Sequence, residues 1–274
     1  MTPPATVDAG VVLAGVAAGA APVGLEEVPE LMSRVDHKYI VTADVMVRLA
    51  AELGDRFAVL RIAGRRQFRY SSTYFDTPDL LTFRQHRQER RRRFKLRTRT
   101  YVDGGGSWLE LKLNGARGGT DKHRIPYDDA PAHILTGQAL DFVSDTLVSR
   151  LHLTAPDPLG PVLSTDYRRV TLVDRSGTAR LTCDSGLVCR SGDRRVAARR
   201  DLVLLESKSA DGRAVADRVL RGLGARPVPV SKYCLAVTAL RHRRANQWLP
   251  VVHHYLEPQP PGSGGDRPPP GSWW

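Results

Sequence analysis

Basic side chains occupy every second position between Arg91 and Arg99, the spacing that places side chains on one face of a β-strand. Like charges on a shared face repel one another unless an anion compensates them. Arginine forks and lysine ammonium groups are well suited to gripping phosphate groups. The run therefore indicates a site for a polyanion. The cations predicted to share this face are Arg91, Arg93, Lys95, Arg97 and Arg99.

Three further segments repeat the design of one ionic face and one mostly apolar face. Glu110 and Lys112 alternate with leucines, and Glu206 and Lys208 alternate with Leu205 and Ser207. The third segment places Arg180, Thr182 and Asp184 on one face. For any one strand, an ordinary sheet with a packed face and a wet face explains the pattern. A closed barrel with helices outside would instead turn the ionic faces inward, into a tunnel whose cations need an anion.

The amino-acid composition indicates a polyanionic partner but does not show which kind. The 274 residues include 41 Lys and Arg against 29 Asp and Glu, which gives a formal net charge of +12. This balance favours nucleic acid, acidic membrane or phosphate compounds. Three cysteines without paired-thiol or zinc spacing favour a reducing, cytoplasmic location. The sequence contains no GxxxxGK[ST] segment, so a P-loop is not expected.

The elements that must position these residues are mainly strands. Short alternating segments bounded by Gly, Pro, Asp or Ser predict them, and the glycines of 101–108 predict a hairpin turn. Fewer segments show helical spacing; one of them predicts Leu140, Val143, Leu147 and Leu151 on one face. We therefore predict an α+β fold, an antiparallel barrel with flanking helices. Residues 25–249 are predicted to form one domain, between disordered tails at 1–24 and 250–274.

Seven segments, in this order, resemble the VTC domain, the polyphosphate polymerase branch of the triphosphate tunnel metalloenzymes. They are HKYIV (37–41), YFDTPDLLTFRQH (74–86), RRRFKLRTRTY (91–101), LELKLNGARGGTDKHR (109–124), DYRRV (166–170), LLESKS (204–209) and PVSKYC (229–234). The resemblance spans roughly residues 31–243. It implies an eight-stranded antiparallel tunnel and divalent-metal-dependent transfer of the ATP γ-phosphoryl group to a growing polyphosphate chain.

The resemblance also implies a set of site residues. The predicted phosphate and nucleotide ligands are Lys38, Arg97, Arg99, Lys112, Arg169, Arg180 and Lys232, to which we add Lys208 because it shares a strand face with Glu206. Arg97, Arg99, Lys112 and Arg180 are also the predicted catalytic residues. Glu206 resembles the family's metal-binding glutamate, for Mn²⁺ or Mg²⁺.

Some assignments stay open at this point. Glu110 is either a second metal ligand or the ion-pair partner of Lys112. Arg168 would replace Arg169 if that strand shifted its register by one. The sequence departs from its relatives at two positions. Asp36 stands where they usually have glutamate, and Pro229 stands where some have lysine.

A physical argument separates the possible reactions. A phosphate acceptor is already ionised near neutral pH, whereas water needs a carboxylate or histidine to activate it. The mostly cationic face therefore favours a polymerase over an inorganic or nucleoside triphosphatase. A non-catalytic module that binds polyphosphate or nucleic acid is the remaining alternative. Phe94 and Tyr101 are the only aromatic residues in the basic run, which argues against stacking of nucleic acid bases.

The expected partners are thus ATP and inorganic polyphosphate, without nucleic acid; a membrane-protein partner would leave no mark in the sequence. His37, His86 and His123 lack ligand spacing and are predicted to be structural. Asp76 and Asp79 are predicted to build a turn around Pro78.

Overall fold

The computed structural model describes residues 7–28, 35–114, 120–128, 132–241 and 246–260. Its helices are α1 (Ala9–Gly19), α2 (Ala43–Leu53), α3 (Leu81–Arg87), α4 (Gly137–Leu151), α5 (Val215–Gly222), α6 (Lys232–Leu240) and α7 (Leu249–Tyr255). Its strands are β1 (Pro22–Val23), β2 (Val35–Thr42), β3 (Phe57–Leu60), β4 (Gln67–Asp76), β5 (Phe94–Tyr101), β6 (Gly106–Asn114), β7 (Thr120–Tyr127), β8 (Gly160–Asp174), β9 (Ala179–Ser191), β10 (Arg194–Ala198), β11 (Leu202–Ser209) and β12 (Leu256–Pro258).

One sheet contains all of these strands, and its main path runs β2-β11-β9-β8-β4-β5-β6-β7. Every pair along this path is antiparallel, so the predicted α+β class and the eight antiparallel strands are confirmed. Strands β8 and β9 are long enough for their ends to pair with β3 and β10 as well. The predicted hairpin joins β5 to β6, where Gly104 and Gly106 adopt positive φ angles of 116° and 67°.

The sheet curls strongly, but the prediction of a closed barrel is wrong in detail. Among the described residues, β2 and β7 form no ladder with each other, so the two ends of the path stay open. The curvature is nevertheless large. It brings Lys112 on β6 within electrostatic range of Glu206 on β11, although β11 is five strands away along the path. Bulges in the β4–β8 and β8–β9 ladders increase the local twist and bend that produce this curl.

The convex face of the sheet carries two of the three apolar clusters, as the alternation predicted. Leu109, Leu111 and Leu113 of β6 are buried against α4, and Leu181 of β9 is buried with α1, α2 and α5. Each fully buried leucine contributes about 1.5–3 kcal/mol to folding. A third cluster lies on the concave face, where Tyr74, Leu163 and Leu204 share the face of Arg97 and Asp184 and pack with α3, α6 and α7. Packing on the convex face therefore fixes which side chains of these strands face the concave side.

The helical spacing was interpreted correctly in most places. Helix α2 begins after Thr42, whose side-chain oxygen accepts a hydrogen bond from the Val45 amide, and it ends at Gly54. In α4 the buried face comprises Ala139, Val143, Leu147 and Leu151. The prediction for Leu140 is wrong, because the core-facing stripe is rotated toward Ala139 and leaves Leu140 44% exposed.

Both predicted tails contain ordered structure. Residues 9–19 form α1, which buries Ala9, Leu13 and Ala17 at four-residue spacing and receives hydrogen bonds from Arg66 on its last carbonyls. At the other end, α7 packs into the third cluster, and β12 pairs with β10. Residues 1–6 and 261–274 lie outside the described residues. Within the part that the structure describes, no helix is long and apolar enough to cross a bilayer.

Candidate functional site: a basic cleft

The concave face of the curled sheet forms a cleft lined by cations, which we call the basic cleft. Its lining cations are Lys38, Lys95, Arg97, Arg99, Lys112, Lys122, Arg124, Arg169, Arg180, Lys208 and Lys232. Among its carboxylates, Glu110 and Asp184 are buried and Glu206 is partly buried. All eight predicted phosphate ligands are in this set. The structure therefore brings together residues that lie as far apart in the chain as Lys38 and Lys232.

The basic run divides between the cleft and the surface. Strand β5 begins at Phe94, so Lys95, Arg97 and Arg99 face the cleft as predicted. Arg91 and Arg93 precede the strand, so strand alternation does not assign them to that face. Arg93 instead donates a hydrogen bond of 2.6 Å to the carbonyl of Arg90 in the loop that follows α3. A loop residue has no strand alternation to orient it, which is why the two-residue period failed here.

Glu110 on β6 holds together cations of the two strands on either side of it, β5 and β7. Its carboxylate accepts hydrogen bonds from Arg97 at 2.6 and 2.8 Å and from Lys122 at 2.5 Å, and Arg99 Nε lies 3.8 Å away. Burial alone would raise the pKa of Glu110, but these cations hold it well below its usual range. Lys112 is not its partner, since the carboxylates near Lys112 are Glu206 and Asp36. Of the two open roles for Glu110, the structure favours the ion pair over the metal ligand. The partners in this ion pair are Arg97 and Lys122 instead of Lys112.

Glu206 lies on the opposite wall of the cleft. It faces Lys38 across the β2–β11 ladder, and its Oε1 is 3.5 Å from Lys38 Nζ while its Oε2 accepts a bond of 2.8 Å from Lys208. Burial would raise the pKa of Glu206, yet Lys208, Lys38 and Lys112 keep it well below the ordinary value. The carboxylate is thus ionised and points among the predicted phosphate ligands.

Asp184 forms a third ionic cluster that the sequence did not single out as functional. Its carboxylate, 2% exposed, accepts two hydrogen bonds of 2.6 and 2.8 Å from Arg169 and a further one from Lys232. Lys232 Nζ also lies 4.3 Å from the ring centroid of Tyr167. Against the effect of burial, the two cations lower the pKa of Asp184 to about 2. The only sequence signal for this role was its position on the ionic face of β9.

Arg169, rather than Arg168, is the arginine in the cleft. The bulge between Asp166 and Arg168 resets the register of β8, so Arg168 is exposed while Arg169 pairs with Asp184. Arg180 lies on the same face of β9 as Asp184, opposite Lys208. The alternative register considered from the sequence is therefore excluded.

Four buried polar atoms near Arg99 have no hydrogen-bond partner in the described part of the protein. They are Ser72 Oγ, Arg99 Nε, Thr165 Oγ1 and Tyr167 Oη. Ser72 lies directly between Arg99 and Thr165 in the sheet ladders, so these atoms belong to neighbouring strands. A buried polar group without a partner costs about 1–3 kcal/mol, and an ordered water or ion is a common explanation. Donors from three adjacent strands therefore converge where an anionic oxygen can bind.

The other polar residues named from the sequence have structural partners. Asp76 accepts hydrogen bonds from Thr82 and Tyr233, and Asp79 accepts one of 2.6 Å from Thr77, as expected for a turn. His86 contacts the Thr82 carbonyl at 2.8 Å, and its burial lowers its pKa to about 3. His37 lies 3.4 Å from Asp217, and His123 lies 2.9 Å from Asp121.

The residues present fit a divalent cation at Glu206 but not at Glu110. Nowhere in the described ranges do three or more His, Cys, Asp or Glu side chains converge as a metal-binding group. Mg²⁺ commonly takes only one or two protein carboxylates and completes its shell with water and substrate phosphates. Glu206, 18% exposed, can take part in such a site. Glu110 is 2% exposed and already occupied by Arg97 and Lys122, so the predicted metal role does not suit it.

The lysines of the cleft predict a pH dependence of anion binding. Burial lowers the pKa of Lys95, Lys122 and Lys208 to about 8, well below the usual value near 10.5. These groups are therefore charged below pH 8 and lose their charge as the pH rises through that value. We expect the affinity for inorganic tripolyphosphate to fall at least about tenfold between pH 7 and pH 9, since each unit of pKa shift is a tenfold coupling.

Isothermal titration at constant ionic strength measures this change. The variant Lys95→Arg, whose guanidinium stays protonated, should show a weaker decline. Equal affinity at pH 7 and pH 9 in the unaltered protein would contradict the assignment of these lysines to the anion site.

Comparison with known proteins identifies the family. A family model described as the VTC domain matches residues 33–241. The chain belongs to the VTC domain family. The resemblance inferred from the seven segments is thus confirmed over nearly the same range. A search of curated proteins finds no match.

Two solved structures resemble this VTC domain. A putative adenylyl cyclase from Hippeastrum, described as having a dominant triphosphatase activity, superposes with a TM-score of 0.50 and 14% identity, over 76% of this chain and 96% of the other. A putative adenylate cyclase from Bacillus halodurans superposes with a TM-score of 0.47 and 16% identity, over 73% of this chain and 94% of the other. The superposition on the Hippeastrum protein therefore shows that this VTC domain shares the overall fold of that protein.

Proposed function

We propose that this protein is a polyphosphate polymerase that transfers the γ-phosphoryl group of ATP to a growing inorganic polyphosphate chain in the basic cleft. The observation that carries the proposal is the placement of the cations. They line the concave face of the sheet at successive ladder positions, from Lys95 through Arg97 to Arg99, over about 13 Å of β5. A linear polyanion fits such a row better than a compact one does.

Phosphoryl transfer needs positioning and charge compensation more than covalent chemistry from the protein. Arg97 and Arg99 would grip the donor phosphates bidentately, and Arg169 with Lys232 would hold them from β8 and α6. Lys38, Lys112 and Lys208 surround Glu206 and would neutralise the remaining charge. A Mn²⁺ or Mg²⁺ ion held by Glu206 would, when bound, offset charge on the phosphate oxygens.

The state of the carboxylates supports a phosphate acceptor over water. Glu110, Asp184 and Glu206 are each ion-paired with two or more cations, and the pKa of each lies below its usual range. A carboxylate with so low a pKa is a poor general base. His86, with its pKa near 3, is a poor base as well. An already ionised phosphate acceptor requires no base, so the cleft suits polymerisation better than hydrolysis.

The test is incubation of the purified protein with ATP and Mn²⁺, followed by gel separation of long-chain polyphosphate from free phosphate. We expect a ladder of long chains that an exopolyphosphatase degrades, together with one ADP for each phosphate incorporated. Stoichiometric free phosphate without long chains would instead establish a triphosphatase. Binding of polyphosphate without turnover of ATP would establish a non-catalytic module.

A further inference from the structure

Aromatic side chains gather at one end of the basic cleft, in a cluster that we call the aromatic rim and that comprises Tyr70, Tyr101 and Trp108. The rings of Tyr70 and Tyr101 are 5.0 Å apart between centroids and inclined at 59°. Trp108 is only partly buried and belongs to none of the three apolar clusters. These residues come from β4, β5 and β6, so the basic run alone could not reveal the rim. The sequence-based argument counted only Phe94 and Tyr101 in the basic run, and the structure adds Tyr70 and Trp108 beside Tyr101.

The rim continues directly into the phosphate ligands. Trp108 is the ladder partner of Arg99, and Tyr101 follows Arg99 on the same face of β5. The guanidinium carbons of Arg99 and Arg169 lie 5.6 and 5.2 Å from the ring centroid of Tyr70. Arginines held over an aromatic ring are favoured by the ring's negative face, which fixes them at this end of the cleft.

The opposite end of the same strands has a different character. Lys95 of β5 faces Lys112 of β6, which in turn faces Lys122 of β7. The order along β5 is therefore lysine, arginine, arginine, tyrosine, from Lys95 to Tyr101. A ligand that matches this order has phosphates at one end and a flat aromatic group at the other.

We propose that the aromatic rim binds the base of the donor nucleotide by stacking, so that ATP lies in the cleft with its base at Trp108 and Tyr101 and its phosphates directed toward Lys95. The inference rests on the proposed function only in requiring that the donor is a nucleotide. It adds a direction: the polyphosphate chain leaves by the lysine end of the cleft.

The test compares ATP with inorganic tripolyphosphate, which carries three phosphates and no base. Both dissociation constants are measured by isothermal titration without divalent metal, so that no turnover interferes. In Trp108→Ala we expect the dissociation constant for ATP to rise about tenfold, a loss typical of one stacked base. The value for tripolyphosphate should change less than about twofold, because its contacts with Arg99 and Lys95 remain.

Trp108→Phe keeps an aromatic face and should retain most of the affinity for ATP. Tyr101→Leu, measured in the same way, replaces Trp108→Ala should that variant fail to fold. Equal losses for both ligands, or unchanged binding of ATP, would overturn the inference. A single-stranded oligonucleotide that binds more tightly than ATP, and that weakens in the same variant, would overturn it in favour of a nucleic acid site. A protein that hydrolyses ATP without making long chains would refute the polymerase and leave this difference in binding standing.

Discussion

Replacing Glu206 with Gln is expected to abolish metal-dependent turnover while leaving anion binding largely intact. The substitution keeps the size of the side chain but removes the charge that Lys38 and Lys208 now flank at 3.5 and 2.8 Å. A neutral amide is a much weaker ligand for Mg²⁺ or Mn²⁺, and even the loss of a supporting residue around a metal commonly costs about 10–100-fold in activity. We expect the turnover number to fall at least about a hundredfold and the metal concentration for half-maximal rate to rise at least about tenfold.

The matched control is Glu110→Gln on the facing wall of the cleft. It removes the same charge, but Glu110 contacts Arg97 and Lys122 and is not suited to a metal. The variant should lose stability and donor affinity without a change in the metal concentration that gives half the maximal rate. Initial rates over a titration of Mn²⁺ separate the two variants. An unaltered metal requirement in Glu206→Gln would remove the role proposed for Glu206.

Strand alternation predicted the cleft because alternate side chains of a strand lie on opposite faces of the sheet. When the apolar side chains of a strand pack in a core, its ionic side chains must lie on the other face. Leu109 and Leu111 occupy the convex core, and this forces Glu110 and Lys112 toward the concave face. The same logic holds for Leu205 and Glu206 on β11. The sequence therefore predicts on which face of the sheet a side chain lies wherever the strand is regular and buried on one face.

The points that escaped prediction depend on partners distant in sequence. The partners of Glu110 are residues of β5 and β7, and no local pattern states which strands adjoin β6. Leu13 lies in a segment of mostly small residues, and its burial depends on the packing of α1 against the sheet. Arg91 and Arg93 continue the two-residue period although the strand has not begun, because loop residues can carry any spacing.

The role of Asp184 was not predicted, because its position on an ionic strand face does not show which cations it contacts. Two of the predicted phosphate ligands, Arg169 and Lys232, come from β8 and α6 and both pair with Asp184. Tyr233, next to Lys232, is anchored by its hydrogen bond to Asp76 on β4. The position of Lys232 in the cleft thus depends on two buried aspartates, Asp184 and Asp76.

Replacing Asp184 with Asn is expected to lower the stability of the folded protein. A bound anion should restore part of this lost stability. The change leaves Arg169 and Lys232, which are 10% and 11% exposed, as neighbouring cations without their counter-ion. Removing one partner of a buried ion pair typically costs about 3–5 kcal/mol. Tripolyphosphate would supply the missing negative charge, so it should raise the melting temperature of the variant more than that of the unaltered protein.

The pH dependence gives a second readout of the same interaction. Asp184 has a pKa of about 2 in the folded protein, below the value near 3.9 of an unfolded aspartate. Its contribution to stability is therefore complete above about pH 4 and disappears as the pH falls toward 2. Asp184→Asn should lack this part of the acid unfolding profile.

A second buried aspartate provides the control for a purely structural loss. Asp217, 1% exposed, accepts hydrogen bonds from Tyr39 at 2.7 Å and Ser207 at 3.0 Å on the convex face of the sheet. Asp217→Asn should lower the melting temperature as well, but tripolyphosphate should stabilise it no more than it stabilises the unaltered protein. Thermal melts of the three proteins with and without tripolyphosphate make the comparison. If the anion stabilised both variants equally, Asp184 would be a structural residue with no part in holding Arg169 and Lys232 for phosphate.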